Sequence, residues 1–419
     1  MTRRGVLSAA SAAITLFGLL AAGVAPVAAA SVSGGASVSA AASANGAVHS
    51  KRVCAASSVG YAACHAHVVT DANLRPLATT GYQFGYSPAQ LRTAYGLTTR
   101  STATVAIVDA YAHPNAAVDL AAYRSRFSLP VLGSIGGPVL TQVNQSGGPT
   151  LASPNTGWGQ EEMLDLEMVS AICPTCNILY VGANSASFND LGAAVDQAAT
   201  TAGVVAVSNS YGGGESLLTT AYASHYSHAN VAITVSSGDS GYGAQVPAAF
   251  NTVTAVGGTT LNLNAGGSRA SETVWSGAGS GCSAYITKPT WQKDTACSRR
   301  TIADVAAVAD PNTGVAVYDS YGSTGGANWY VFGGTSVAAP IIGAVYALSG
   351  HTSGIPAILA YNNAPTYSPP VGSLNDVTSG SNGSCVRKRN TSNAYLCTGV
   401  IGYDGPTGNG TPNGNLTPF

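Results

Sequence analysis

Gly333-Gly334-Thr335-Ser336-Val337-Ala338-Ala339-Pro340 is the stretch on which the reading of this chain turns. Two glycines lead into a hydroxyl pair, and an apolar run follows with Ile341, Ile342, Val345 and Leu348 at helical spacing. The pattern predicts a helix over 336–348 that begins at the serine. A hydroxyl there faces free amide N–H groups and the positive end of the macrodipole, a setting that stabilises an oxyanion. An N-cap serine is the structural alternative, and the motif alone does not separate the two.

Upstream, short β-branched runs alternate with alanine-rich helical stretches. Strands are expected over 104–108, 178–181, 204–208, 231–235 and 252–256, and helices over 114–126, 160–171 and 188–201. Apolar strand cores separated by helices predict an α/β fold, a mainly parallel central sheet covered by helices on both faces. Ligands in such sheets sit beyond the carboxyl ends of the strands. Asp109 ends the first run, Ser210-Tyr211-Gly212-Gly213 the third and Ser236-Ser237-Gly238-Asp239-Ser240-Gly241 the fourth.

A nucleophilic serine needs a base, and no histidine lies at a glycine-flanked helix start. His113, His225, His228 and His351 read as structural or surface residues, and Cys64-His65-Ala66-His67 as an exposed, loosely held segment. The carboxylates offer more. The 419 residues carry 17 Lys and Arg against 18 Asp and Glu, so 8% are charged, where roughly 25% is usual. Four of those acids fall in Glu161-Glu162-Met163-Leu164-Asp165-Leu166-Glu167. On a helix Glu161 and Asp165 share a face at i and i+4, and their repulsion raises one pKa unless solvent screens it. The near-zero net charge of -1 supplies no field for a polyanion, which argues against nucleic acid as a partner.

Arg3 and Arg4, the apolar run 13–24 and Ala28-Ala29-Ala30 read as a signal peptide over 1–30, with a weak twin-arginine likeness. No later stretch is long and apolar enough to span a bilayer, so a secreted protein without membrane attachment is expected. Residues 31–82 read as a flexible Ser/Ala-rich leader followed by a short disulfide-stapled segment, and 83–419 as the main domain. The eight cysteines are sequence neighbours, Cys54 and Cys64, Cys173 and Cys176, Cys282 and Cys297, Cys385 and Cys397. Even numbers at short spacing in an exported chain predict local disulfides.

As a set, Glu161-x-x-x-Asp165, the Ser-Gly-Asp-Ser-Gly around Asp239, the Gly-Gly-Thr-Ser-x-Ala-x-Pro around Ser336 and Asp304-Val305-Ala306-Ala307-Val308-Ala309-Asp310-Pro311 resemble the sedolisin family of serine-carboxyl peptidases. The likeness runs in order over roughly 83–410 and implies a subtilisin-like three-layer fold, with polypeptides as substrates and a monomeric enzyme. It also implies Ser336 as nucleophile, Glu161 as general base and acid, Asp165 as its orienting partner and Asp239 as oxyanion donor. With ordinary carboxyl pKa values near about 4, a protonated Asp239 beside an ionised Glu161 predicts an acid optimum. Asp109 is expected to support the Glu161 and Asp165 pair, and Tyr211 to stand beside the cleft.

Around Asp376-Val377 and Val400-Ile401-Gly402-Tyr403-Asp404 the resemblance implies one Ca2+ held by the Asp376 and Asp404 carboxylates and the Val377, Val400 and Gly402 carbonyls. These are hard oxygen donors of the kind calcium prefers. Relatives carry a long folded propeptide, whereas only about fifty residues separate the expected signal segment from the catalytic pattern here. A silent binding protein on a peptidase fold and a paired-carboxylate glycosidase are the competing readings.

Overall fold

The run Val105-Ala106-Ile107-Val108 is buried on both sides because two separate apolar layers meet it. Val105 and Ile107 pack into one core cluster with Ile178, Tyr180 and Ala206, whereas Ala106 and Val108 join the other with Leu179, Val181 and Val207. Alternate residues of a strand point to opposite faces, so continuous apolar strands need helices above and below. The computed structural model describes residues 1–2, 48–322, 328–362, 374–385 and 391–414. The signal segment read over 1–30 and the leader that follows it lie almost wholly outside the described residues.

The central sheet has eight strands. Along it lie Arg269–Val274, Thr254–Leu263, Ala232–Ser236, Val204–Asn209, Thr104–Ala110, Asn177–Ala183 and Leu140–Asn144, with Val305–Val308 also paired to Thr254–Leu263. Every pairing is parallel except that of Arg269–Val274. Helices Ala116–Arg126, Thr156–Ile172, Phe188–Thr200 and Thr335–Ser349 match the expected spans closely. The α/β architecture with a mainly parallel sheet is the one expected from the alternation of elements.

Two helices are buried almost throughout. In Thr156–Ile172 every residue from Trp158 onward is buried, so Glu162 and Glu167 do not form a solvated face. Glu162 Oε2 accepts from His113 N (2.6 Å) and Glu167 Oε2 from Tyr318 N (3.0 Å), so both carboxyls tie down loop or strand amides. In Thr335–Ser349, Pro340 cannot donate to the carbonyl of Ser336 four residues back. That carbonyl instead lies 3.4 Å from the Ser210 hydroxyl.

Residues 49–82 depart from expectation. His49–Arg52 and His67–Thr70 pair with each other, and His67–Thr70 pairs with Asn328–Gly333. Ala63–Cys64 pairs antiparallel with Tyr211–Gly214. The segment is thus built into the body of the protein, with His65, Ala66, Val68 and Val69 buried. Its strands are too short for periodicity to reveal, and each finds its partner only in the tertiary fold. All four neighbour disulfides form.

Asp304 enters the sheet as a buried ion pair. Arg300 forks onto both its oxygens, Ala255 N donates to Oδ2 (2.7 Å) and Tyr361 Oη to Oδ1 (2.6 Å). Removing one partner of a buried pair strands the other charge. Arg300→Ala is expected to lose about 3–5 kcal/mol in urea unfolding, far more than Arg300→Met together with Asp304→Leu.

Candidate active site

Ser336 is the second residue of its helix and has no exposed surface. Gly334 precedes it at φ +101°, where a Cβ would meet His65 O at 1.9 Å and Asp239 Oδ2 at 2.8 Å. Only glycine tolerates that backbone angle together with so close an approach. Ser336 Oγ donates to Ser210 O (3.3 Å), and its hydroxyl favours the ionised form of the Glu161 carboxyl. Among the described residues it has no histidine partner.

Three carboxyls converge from two elements. Asp109 ends Thr104–Ala110, Glu161 and Asp165 rise one turn apart on Thr156–Ile172, and Asp165 Oδ1 accepts from Ser210 Oγ (2.9 Å). Glu161 Oε2 accepts from the backbone N–H of Ala66 (2.9 Å). Both oxygens of Asp109, Oε1 of Glu161 and Oδ2 of Asp165 have no hydrogen-bond partner. Burial and mutual repulsion favour the protonated forms of these carboxyls.

Their affinities follow. Burial pushes Asp109 up to about 8. Burial, reinforced by the Asp109 charge, holds Glu161 and Asp165 well above the usual carboxyl range. The Ser336 hydroxyl and the N–H of Ala66 favour the ionised form of Glu161, as the Ser210 hydroxyl does that of Asp165.

Asp239 lies on the other side of the serine. Its Oδ1 accepts from both the N–H (2.9 Å) and the hydroxyl (2.7 Å) of Thr335, while Oδ2 has no hydrogen-bond partner and faces His67 Nε2 at 3.5 Å. Burial pushes Asp239 up to about 7. A carboxyl fixed by one oxygen and protonated on the other is a ready donor to a developing oxyanion.

The structure therefore brings Glu161, Asp165, Asp239 and Ser336 together, with Asp109 behind them. Tyr211 is buried, its hydroxyl on Asn209 Oδ1 (2.9 Å) and beside Tyr226 Oη (3.1 Å), while its backbone pairs with Cys64. Sequence reading missed Ser210 and Thr335. Both stand at ends of recognised elements, and that position was their only signal. It also misjudged His65 and His67. His65 is buried with Nδ1 on Ser236 Oγ (2.7 Å) and Nε2 on Gln245 Oε1 (3.1 Å), and burial followed by the Arg52 charge lowers it to about 3.

With this arrangement in view, similarity to known proteins carries weight. Over 186 residues, 41% of the chain, it is 32% identical to sedolisin from Pseudomonas sp. (strain 101), a match spanning 29% of that curated relative's length. The crystallised Pseudomonas sedolisin, a serine-carboxyl proteinase, aligns at 26% identity and a TM-score of 0.65, covering 79% of this chain and 96% of its own. In sequence and in fold the chain is thus similar to sedolisin. No protein-family model matches it.

Two further acidic groupings bear on metal binding. His113, Asp119 and Asp319 lie within ligand range of one another. His113 Nδ1 accepts from Asn115 N (3.0 Å), so its Nε2 carries the proton toward Asp319 Oδ1 (2.8 Å) and has no lone pair for a metal. Near the C-terminus, Asp376 Oδ2 accepts from Gly402 N (2.9 Å) and Asp404 Oδ2 from Val400 N (3.3 Å), so the two expected ligand segments do meet. Asp404 is fully buried, and burial outweighs its Thr407 and Val400 hydrogen bonds to push its pKa up, with Asp376 adding to the effect.

Raised native pKa values mean that the folded state binds more protons than the unfolded chain. The stability they contribute is whole below about 4 and is lost as pH climbs through about 7 for Asp239 and about 8 for Asp109. The thermal midpoint is expected to fall by about 5 °C or more between mildly acid and mildly alkaline buffer. Asp109→Asn should flatten that slope in a calorimetric pH series.

Proposed function

We propose that the protein is a secreted serine-carboxyl endopeptidase that cleaves peptide bonds in acid through an acyl-enzyme. The observation that carries the reading is the buried Ser336 at a helix N-terminus, its hydroxyl favouring an ionised Glu161, with Asp239 fixed by Thr335 beside it. Glu161 takes the Ser336 proton as Oγ attacks the carbonyl and returns it to the leaving amine. Asp165 and Asp109, sharing protons with Glu161, hold it in place and spread the charge. Asp239 donates its proton's hydrogen bond to the oxyanion, which a neutral acid can do and a carboxylate cannot. The disulfides and the leader-like N-terminus support export.

Activity should fall as pH rises and be gone once Asp239 ionises, at the latest through about 7. Hydrolysis of casein or a fluorogenic peptide tests this. Ser336→Ala should lose at least about 1,000-fold in kcat. Asp239→Asn, whose amide donates at any pH, should move the falling limb upward. A limb that stays in place would remove Asp239 from the oxyanion site.

A calcium ion held by Asp376, Asp404 and the carbonyls of Val377, Val400 and Gly402 is part of the reading. The fit rests on Asp404, a buried carboxyl set against a second carboxyl, where a divalent cation would offset the repulsion. Its role would be to pin the two C-terminal segments. Chelation should lower the thermal midpoint and added Ca2+ restore it, with Asp404→Asn abolishing the response.

A further inference from the structure

Beside the catalytic groups lies a side-chain pocket that is already filled. Tyr211–Gly214 pairs with Ala63–Cys64 on one edge and with Gln245–Val246 on the other. The N–H of His65 continues the first ladder onto Ser210 O (3.1 Å), the same carbonyl to which Ser336 Oγ donates. One residue on, the N–H of Ala66 donates to Glu161 Oε2 (2.9 Å). The His65 carbonyl lies against Gly334, on the side where Asp239 Oδ2 stands unpartnered. His65 therefore stands where a polypeptide would place the residue whose carbonyl Ser336 attacks, and its ring marks the pocket open to that residue's side chain.

The lining of this pocket is polar and fixed. Ser236 is buried at the end of Ala232–Ser236, with Oγ 2.7 Å from His65 Nδ1, and Gln245 Oε1 lies 3.1 Å from Nε2. Two glycines hold the Gln245 carboxamide in place. A Cβ on Gly212 would meet its Oε1 at 2.7 Å and His65 Cε1 at 2.8 Å, and one on Gly238, at φ +112°, would meet its Nε2 at 2.9 Å. A carboxamide oxygen only accepts, so Nε2 carries the ring proton. Burial, followed by the Arg52 charge, lowers the ring to about 3, so Nδ1 is unprotonated and accepts from the Ser236 hydroxyl. The pocket thus aims one donor and one acceptor at a single side chain.

We infer that Ser236 and Gln245 make the enzyme selective for polypeptides that carry, on the acyl side of the cut bond, a neutral side chain with one acceptor and one donor, namely glutamine or unprotonated histidine. A glutamine carboxamide presents its oxygen to the Ser236 hydroxyl and its N–H to Gln245 Oε1. Leucine or phenylalanine would leave Gln245 Oε1 without a donor and Ser236 Oγ with only Asn209 O at 3.5 Å. A site built to hydrogen-bond its ligand rejects an analogue lacking those groups far more strongly than an apolar pocket rejects one of the wrong size. Ser236 and Gln245 act on the choice of substrate, whereas Ser336, Glu161 and Asp239 act at the carbonyl.

This inference rests on the peptidase reading, and the experiment separates the two. An equimolar mixture of octapeptides, identical except for Gln, His, Leu or Phe at one central position, is digested by the full chain at about pH 6, close to the ordinary imidazole pKa. Mass spectrometry reads the bond cut and the relative kcat/KM. Competing substrates meet the same enzyme molecules, so the ratio does not depend on what fraction of them is active. The wild type is expected to cut after the varied residue, with Gln and His each favoured over Leu and Phe by at least about tenfold. Gln245→Met and Ser236→Ala should each lower that preference by about fivefold or more. A wild-type preference below about tenfold, or cuts that ignore the varied residue, would overturn the inference and leave the peptidase reading standing. A preference unmoved in a folded Gln245→Met or Ser236→Ala would also overturn it, and if neither variant folds the wild-type ratio decides. Failure of the wild type to cut any of the peptides would overturn both.

Discussion

Three carboxyl groups buried at the carboxyl end of one parallel sheet are the constraint on which this structure depends. Asp109, Glu161 and Asp165 leave four oxygens without hydrogen-bond partners in a region closed to water. Three negative charges cannot coexist there, so the fold is stable only with protons in the cluster. The same requirement shapes the chemistry. A buried carboxyl beside others can accept a proton from a serine and hand it on, the work that a histidine performs in the Ser-His-Asp triad.

The scarcity of charge elsewhere fits that constraint. In acid the chain keeps at most the charge of its 17 Lys and Arg and 7 His residues, fewer than an ordinary protein of this length would carry, which limits self-repulsion when the acids are neutral. Acids that remain inside are paired or put to use: Asp304 with Arg300, Glu162 and Glu167 on backbone amides, Asp239 on Thr335. A fold that needs protons inside and few charges outside suits an acidic medium on both counts.

Much of this was legible in the residues. The apolar runs at 104–108 and 204–208 announced a doubly covered sheet because a parallel strand buried on both faces cannot alternate. Glu161 and Asp165 stood out because acids are rare in this chain, and Ser336 because two glycines and an apolar helix frame it. The four disulfides followed from spacing. What could not be read was anything made by backbone. The N–H of Ala66 on Glu161 and the N–H of His65 on Ser210 involve groups that every residue carries, so neither position bears a signature. His65 and His67 looked exposed because nothing in a segment between two cysteines tells that it will lie in a cleft.

The central claim is that protonated, mutually buried carboxyls, with no histidine, drive Ser336. Carbon NMR of protein labelled at the Asp and Glu carboxyl carbons, titrated across pH with Asp109→Asn and Asp239→Asn for assignment, tests it most directly. At about pH 6, well above the ordinary carboxyl range, the account predicts that Asp109 and Asp239 still show protonated carbons. Ionised signals for both at that pH would contradict it.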